Sequence, residues 1–194
     1  MRKNPQQRRS KQTIDDIFEA AARIFETDNR SSLDTNALAE RAGVSIGTVY
    51  YYFSDKVSLL RAMALREIGR QEQRFLAVIA AGRSDTPDAL VRAIVREALA
   101  PLNGRRNVRR RLFEILGTDP VVRDALHDTI SRVTDRFLEG LGLDPSAVPP
   151  ARRYILLRSM LGPVRAAMFG DPEMLASKDF EDELVRLVTL LAGL

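Results

Sequence analysis

The sequence contains no cysteine and a single histidine in 194 residues. Without thiols the chain can form no disulfide and no thiolate metal centre, and nothing in it calls for an oxidising compartment, so a cytoplasmic setting is the expectation. No stretch approaches the roughly 18 consecutive apolar residues that a membrane-spanning helix needs. The basic opening MRKNPQQRRSKQT runs into no apolar segment of the kind a cleaved leader carries, so neither a leader nor a membrane partner is expected. Also missing are the nucleophile elbow G-x-S-x-G, the P-loop and the H-E-x-x-H zinc motif. His127 stands alone in an amphipathic segment beside Leu126, where a satisfied structural role is the expectation. Asp171, Glu173 and Asp179 cluster near a helix boundary, where capping and solvent account for them. An enzyme is therefore the disfavoured alternative, and no catalytic residue, metal or cofactor is expected.

What remains is a helix-rich globule. Hydrophobic residues make up 45% of the chain and charged residues 29%, a balance that can bury a core. The net charge of +4 is less informative than its placement. Residues 1–13 hold Arg2, Lys3, Arg8, Arg9 and Lys11 and no acid, whereas residues 14–56 hold four bases against eight acids. A flexible basic arm of this kind follows phosphate or a minor groove, or merely solubilises the chain.

Apolar residues recur at helical spacing almost throughout, and no alternation is long enough for a sheet, which predicts an all-α fold of about nine helices. Ile14, Ile17, Phe18, Ala21, Ile24 and Phe25 form one face of a first helix ending near Asp28 and Asn29. Short helices are predicted from Thr35 to Ala42 and from Ile46 to Tyr52. Ser54 or Asp55 then caps a long fourth helix to about Ala80, with Val57, Leu60, Met63 or Ala64, Ile68 and Phe75 on its inner side. Further helices are predicted at 87–100, 105–116, 120–140, 149–169 and 179–193, punctuated by Pro and Gly. The division expected is residues 1–56, basic arm plus helix-turn-helix, and 57–194, a larger helical domain.

The informative segment runs from Leu38 to Lys56, LAERAGVSIGTVYYYFSDK. Gly43 allows the left-handed turn that ends one helix, and Ser45 is placed to cap the next. Val44, Val49 and Phe53 point back into a small core, which leaves Ile46, Gly47, Thr48, Tyr50, Tyr51 and Tyr52 on the opposite face, fit to lie in a major groove. Aromatic residues also pack, so at least one of the three tyrosines is open to a core role. Gly47 is costly inside a helix and lets a backbone approach a duplex closely. Lys56 falls in the first turn of the fourth helix, where free amides and the helix dipole already favour an anion.

These residues resemble the tetracycline-repressor (TetR) family, whose motif is approximately A-G-V-S-x-G-T-x-Y-x-[HY]-F-x-x-K-x-x-L. Here it is matched by Ala42-Gly43-Val44-Ser45, Gly47-Thr48, Tyr50, Tyr52-Phe53, Lys56 and Leu59. The resemblance covers roughly residues 10–60. It implies that Ser45, Thr48, Tyr50, Tyr51 and Tyr52 contact phosphates or base edges of double-stranded DNA, that Ile46 and Gly47 face the groove, and that Lys56 pairs with phosphate. The second helix departs from the family habit in having Asp34 at its cap, so the following Thr35 hydroxyl, or the helix amides, is expected to meet the backbone instead.

One such unit reads only a few base pairs, so a homodimer on a palindromic operator is expected, with recognition helices about 34 Å apart. Tyr154, Leu157, Leu161, Val164 and Met168 on one late helix, and Phe180, Leu184, Leu187, Val188 and Leu191 on the last, are the expected interface; they serve equally to close a monomer core. An unidentified small-molecule effector is expected among Phe75, Phe113, Leu116, Phe137 and Met160. The run Arg105, Arg106, Arg109, Arg110 and Arg111 is either a solvated face or, at Arg109 and Arg110, a site for an anionic effector. The implied function is a ligand-released repressor. An activator, or a regulator answering to a protein partner, shares the same pattern.

Overall fold

The computed structural model describes residues 5–27, 33–82, 86–100 and 106–194, with the side chains of 5–7, 106 and 116 outside that set. The expected helix ends at Asp28 and Asn29, and the cations Arg2, Lys3 and Arg105, lie outside the described residues. Every regular element among the described residues is helical. They are α1 (Pro5–Thr27), α2 (Thr35–Ala42), α3 (Ile46–Tyr52), α4 (Lys56–Ala81), α5 (Pro87–Leu99), α6 (Arg106–Leu116), α7 (Pro120–Gly140), α8 (Pro150–Ile155), α9 (Leu161–Gly170) and α10 (Lys178–Ala192). Short 3-10 turns occupy Leu157–Met160 and Pro172–Ala176. Counting the broken rod from α8 to α9 as one element, the described helices number nine, as expected.

That rod breaks for a local reason. Pro163 has no amide hydrogen to give to the carbonyl of Ser159, so the chain tightens into a 3-10 turn and restarts with the proline inside the first turn of α9. The first helix also differs from expectation. It begins at Pro5, so most of the supposed flexible arm is helical. Apolar spacing starts only at Ile14 and gave no sign of the polar, helix-favouring turns ahead of it.

The chain divides into two compact units, Met1–Ala64 with Arg105–Thr118, and Leu65–Gly104 with Asp119–Leu194. This differs from the expected cut at 56/57. One long helix and two short ones have little interior of their own, and the start of α4 and all of α6 complete it. In the first unit Ile17, Ala21, Leu38, Val49 and Leu59 are buried, and Val108 of α6 joins them with Leu112 packed alongside. Val57, expected on the inner side of α4, is 53% exposed; Leu59 faces inward in its place, while Met63 and Ala64 are buried as expected. At the end of α1 the Glu26 carboxylate accepts the Val108 amide at 3.1 Å, which caps α6, while Asn107 donates to the Glu26 carbonyl at 3.4 Å.

The second unit is built around Phe137, Val91, Ile94, Val95, Leu138, Leu156 and Val188, contributed by α5, α7, the broken rod and α10. Arg92 of α5 donates to Glu181 at 2.8 Å and to Asp182 at 2.6 Å, and Arg96 adds a contact to Glu181 at 2.9 Å, so α5 and α10 are tied by charge as well as packing. Arg132 of α7 holds Glu72 of α4 at 2.7 Å. His127 is not in this core: it is exposed, with its ring 5.5 Å from that of Tyr154.

The expected interface residues are divided by burial. Leu157, Val164, Leu184 and Val188 are consumed by the chain's own core and offer a partner no surface, because an apolar stripe reads the same in sequence whichever surface it covers. Tyr154 remains 53% exposed, and Leu161, Met168, Phe180, Leu187 and Leu191 are half-buried. Exposed Ile155 and Leu190 were not anticipated.

Candidate nucleic-acid interface

The site begins with two caps. Asp34 accepts the Asn36 amide at 2.9 Å and opens α2, which leaves Thr35 as the first helical residue, half-exposed. Gly43, at φ 67°, ends α2; its amide and that of Val44 return to the carbonyls of Glu40 and Ala39 at 3.1 and 3.0 Å. A side chain at 43 would be strained by that backbone angle, which is why glycine stands there. Two residues later Ser45 starts α3: its hydroxyl accepts the Thr48 amide at 3.0 Å and lies 2.8 Å from the Thr48 hydroxyl. Both hydroxyls are thus committed to one another at the tip of the helix.

α3 buries Val49, and Phe53 follows it into the core beside the ring of Phe18, 5.6 Å away. The other side is open. Ile46 is 41% exposed, Tyr50 51% and Tyr51 82%, far more than large apolar groups need when only the fold is at stake. Tyr52 is different. It packs half-buried against the first core and meets the edge of Tyr51 at 5.1 Å, so it props the neighbouring ring and does not share the open face. Gly47 has ample room around it: a Cβ there would meet only the Ser45 hydroxyl, at 3.7 Å.

α4 opens with a reciprocal cap. The Asp55 carboxylate accepts the Ser58 amide at 2.6 Å while the Ser58 hydroxyl accepts the Asp55 amide at 3.1 Å. The Ser58 amide, ahead of the Ser58 and Ser54 hydroxyls, holds the Asp55 carboxyl below its ordinary range. Lys56 is exposed in the first turn. A groove of about 270 Å³ runs between the starts of α2 and α4, floored by Leu38, Val49 and Leu59 and rimmed by Thr35, Tyr50, Ser54, Asp55 and Lys56. Thr35, Tyr50 and Lys56 were expected at the site. Ser54 and Asp55, expected only as caps, join them on its rim.

Residues 17–63 match the family model described as bacterial regulatory proteins, tetR family. Over that segment, the helix-turn-helix of the first unit, the chain carries the DNA-binding region of TetR-family transcriptional regulators. An HTH-type transcriptional regulator of Mycobacterium tuberculosis (strain ATCC 25618 / H37Rv) is 27% identical over 159 residues, covering 79% of this chain and 77% of the relative. Among solved structures, SmeT, the repressor of the Stenotrophomonas maltophilia multidrug efflux pump SmeDEF, superposes with a TM-score of 0.66 at 22% identity, covering 93% of this chain and 88% of that one. Thermus thermophilus FadR, a TetR-family repressor in complex with lauroyl-CoA, gives a TM-score of 0.66 at 19% identity over 92% of each chain. At these identities the two structures establish the TetR-like fold.

The remaining expected residues do not gather at one place. Phe137 and Met160 are buried in the second core and Phe75 packs against it. Phe113 is half-buried on α6 in the first unit, and the Leu116 side chain lies outside the described residues. The α6 arginines also belong to the first unit, because Val108 and Leu112 pack into its core. Arg111 pairs with Glu114 at 3.0 Å and Arg110 approaches it at 3.8 Å, and Arg109 has a partner as well. In the second unit a groove of about 460 Å³ is lined by Thr86, Pro87, Leu90 and Glu139 to Gly142, none of which was expected to meet a ligand. No described helix is long and apolar enough to cross a membrane.

Proposed function

We propose that the chain is a repressor that binds a palindromic DNA site as a homodimer and releases it when a small molecule occupies its second unit. The observation that carries this reading is α3. Its face of Ile46, Tyr50 and Tyr51 stays in water although burial would be favourable, and Gly47 is retained where the protein itself has room for a side chain. Both features fit a helix that lies against a duplex, with the backbone close at Gly47, Tyr50 and Tyr51 at base edges or phosphates, and Ile46 against the groove. Lys56 and Thr35, on the two sides of the groove between α2 and α4, pair with a phosphate, and Ser45 and Thr48 fix the helix start against the backbone.

A second copy of the chain supplies the other half-site. Tyr154, Ile155 and Leu190 are the apolar groups that α8 and α10 leave most exposed, and half-buried Leu161, Met168, Phe180, Leu187 and Leu191 extend them. The effector enters beside Phe75, with Phe137 and Met160 forming the floor of the space it opens. Release needs a coupling of only about 1–3 kcal/mol between effector and DNA. A pump repressor and a repressor bound to lauroyl-CoA share this fold, which supports a ligand-released mode here. Gel-shift titration on DNA from the chain's own upstream region tests the reading. A single complex of two chains per duplex is expected, dissolved by some members of a library of apolar small molecules; one chain per duplex, or complexes indifferent to every compound, contradicts it.

A further inference from the structure

The first two described turns of α1 carry Arg8, Arg9 and Lys11, all exposed, with no carboxylate paired to any of them among the described residues. Elsewhere cations are engaged: Arg74, Arg92, Arg132 and Arg186 each hold a carboxylate within 3.2 Å. The placement also opposes stability. α1 has no acid in its first turn, and bases near the positive end of a helix dipole raise its energy. Further along, the sign reverses at Asp15, Asp16 and Glu19. The basic patch is therefore bounded, and it lies ahead of Ile17, the first fully buried residue and the first residue of the family match.

One ring contact anchors this helix. Phe18 touches Phe53 at the end of α3, and Phe53 lies three residues from Lys56. α1 is therefore held against the end of the recognition helix that leads to Lys56. At 1.5 Å per residue, Lys11 lies about 10 Å and Arg8 about 15 Å along the axis from Phe18.

We propose that the helical basic turns of α1 bind the phosphate backbone of duplex DNA just outside the segment read by α3, and so lengthen the footprint of each half-site by about 4 base pairs. At about 3.4 Å per base-pair step, the 10–15 Å reach of the patch corresponds to that span. The surface acts through charge, carries no sequence preference, and rests on the DNA-binding reading above. It makes no use of residues 1–4.

The test compares the full-length chain with a variant carrying Arg8→Gln, Arg9→Gln and Lys11→Gln, all at exposed positions, with circular dichroism to verify folding. Affinity for upstream DNA is measured across salt, on a duplex with its flanks intact and on one trimmed by 4 base pairs at each end. Each lost phosphate contact flattens the log–log salt slope by about 0.9, so up to about 2.7 per chain is expected. Trimming should weaken the natural chain and leave the variant unchanged. If the natural chain binds specifically and the variant matches it in slope and in its response to trimming, the basic patch is not a DNA contact, and the α3 reading survives. If the natural chain shows no preference for its upstream DNA over a shuffled duplex, the DNA reading fails and the patch proposal falls with it.

Discussion

Replacing Gly47 with alanine should strengthen the fold and weaken its use. The position lies in the first turn of α3, and the new methyl would meet nothing closer than the Ser45 hydroxyl at 3.7 Å, an ordinary contact. A glycine-to-alanine change that the native backbone accepts stabilises by about 0.4–1 kcal/mol, mostly by removing freedom from the unfolded chain. For a chain of this size that corresponds to a rise in melting temperature of roughly 1–4 °C. On DNA, in the proposed docking of α3, the same methyl would stand where the helix backbone is closest to the duplex. Forcing the helix outward strains the contacts of Tyr50 and Lys56, and a loss of about 1.4 kcal/mol, or tenfold in Kd, is expected. Thermal melting and fluorescence anisotropy on the same preparation read both effects. A lower melting temperature would mean that the fold itself needs the glycine. Unchanged affinity beside a higher melting temperature would refute the close approach of α3 to DNA.

Three further outcomes are expected. At Gly140 a Cβ would lie 3.0 Å from Ile79 and 3.1 Å from Leu90, so Gly140→Ala should cost roughly 1–3 kcal/mol, seen as a lower urea midpoint with an unchanged slope. Leu190→Glu, at a residue 75% exposed, should leave circular dichroism intact and shift sedimentation from dimer to monomer, whereas Leu184→Ala, at a residue 3% exposed, should cost about 2–5 kcal/mol of stability in the same chain. The hydrogen bond from Arg92 holds the Asp182 carboxyl below its ordinary range. A depressed carboxylate contributes stability that is present above the unfolded value of about 3.9 and lost as pH falls through the lower folded value. Melting temperatures taken downward from pH 5 should therefore drop less in Arg92→Met than in the natural chain, and equal drops would remove the α5 to α10 pair from the account.

The parts of this fold that were legible in the sequence are those with a local mechanism. Asp34, Gly43 and Ser45 each act within three residues of themselves, and the bounds of α2 and α3 agree with expectation. Pro120 behind the Asp119 cap similarly marks the start of α7. What was missed depended on neighbours distant in the chain. α6 joins the first unit because Val108 finds α1 and Glu26 caps it from 82 residues away, a pairing that no helical spacing reveals. Leu157, Val164, Leu184 and Val188 are apolar at helical spacing whether they face a partner or their own core, and only the packed chain decides. On the open side of α3 the tyrosine run showed that aromatics were concentrated there but not which ring packs against the core; Val49 sets the buried side, and half-buried Tyr52, three residues on, follows it. The basic turns of α1 were visible as charge, while their helical form was hidden by the lack of apolar residues before Ile14.

The most direct test of the central claim is fluorescence anisotropy of the full-length chain on its own upstream DNA and on a shuffled duplex, with a Tyr50→Ala, Lys56→Ala variant measured beside it. Binding to the natural fragment at least about 10³-fold tighter than to the shuffled one is expected, largely lost in the variant, with a salt slope flatter by about 0.9 for each phosphate released. Equal weak binding to both duplexes, unchanged by the two substitutions, would contradict the assignment of α3 as the DNA-reading helix.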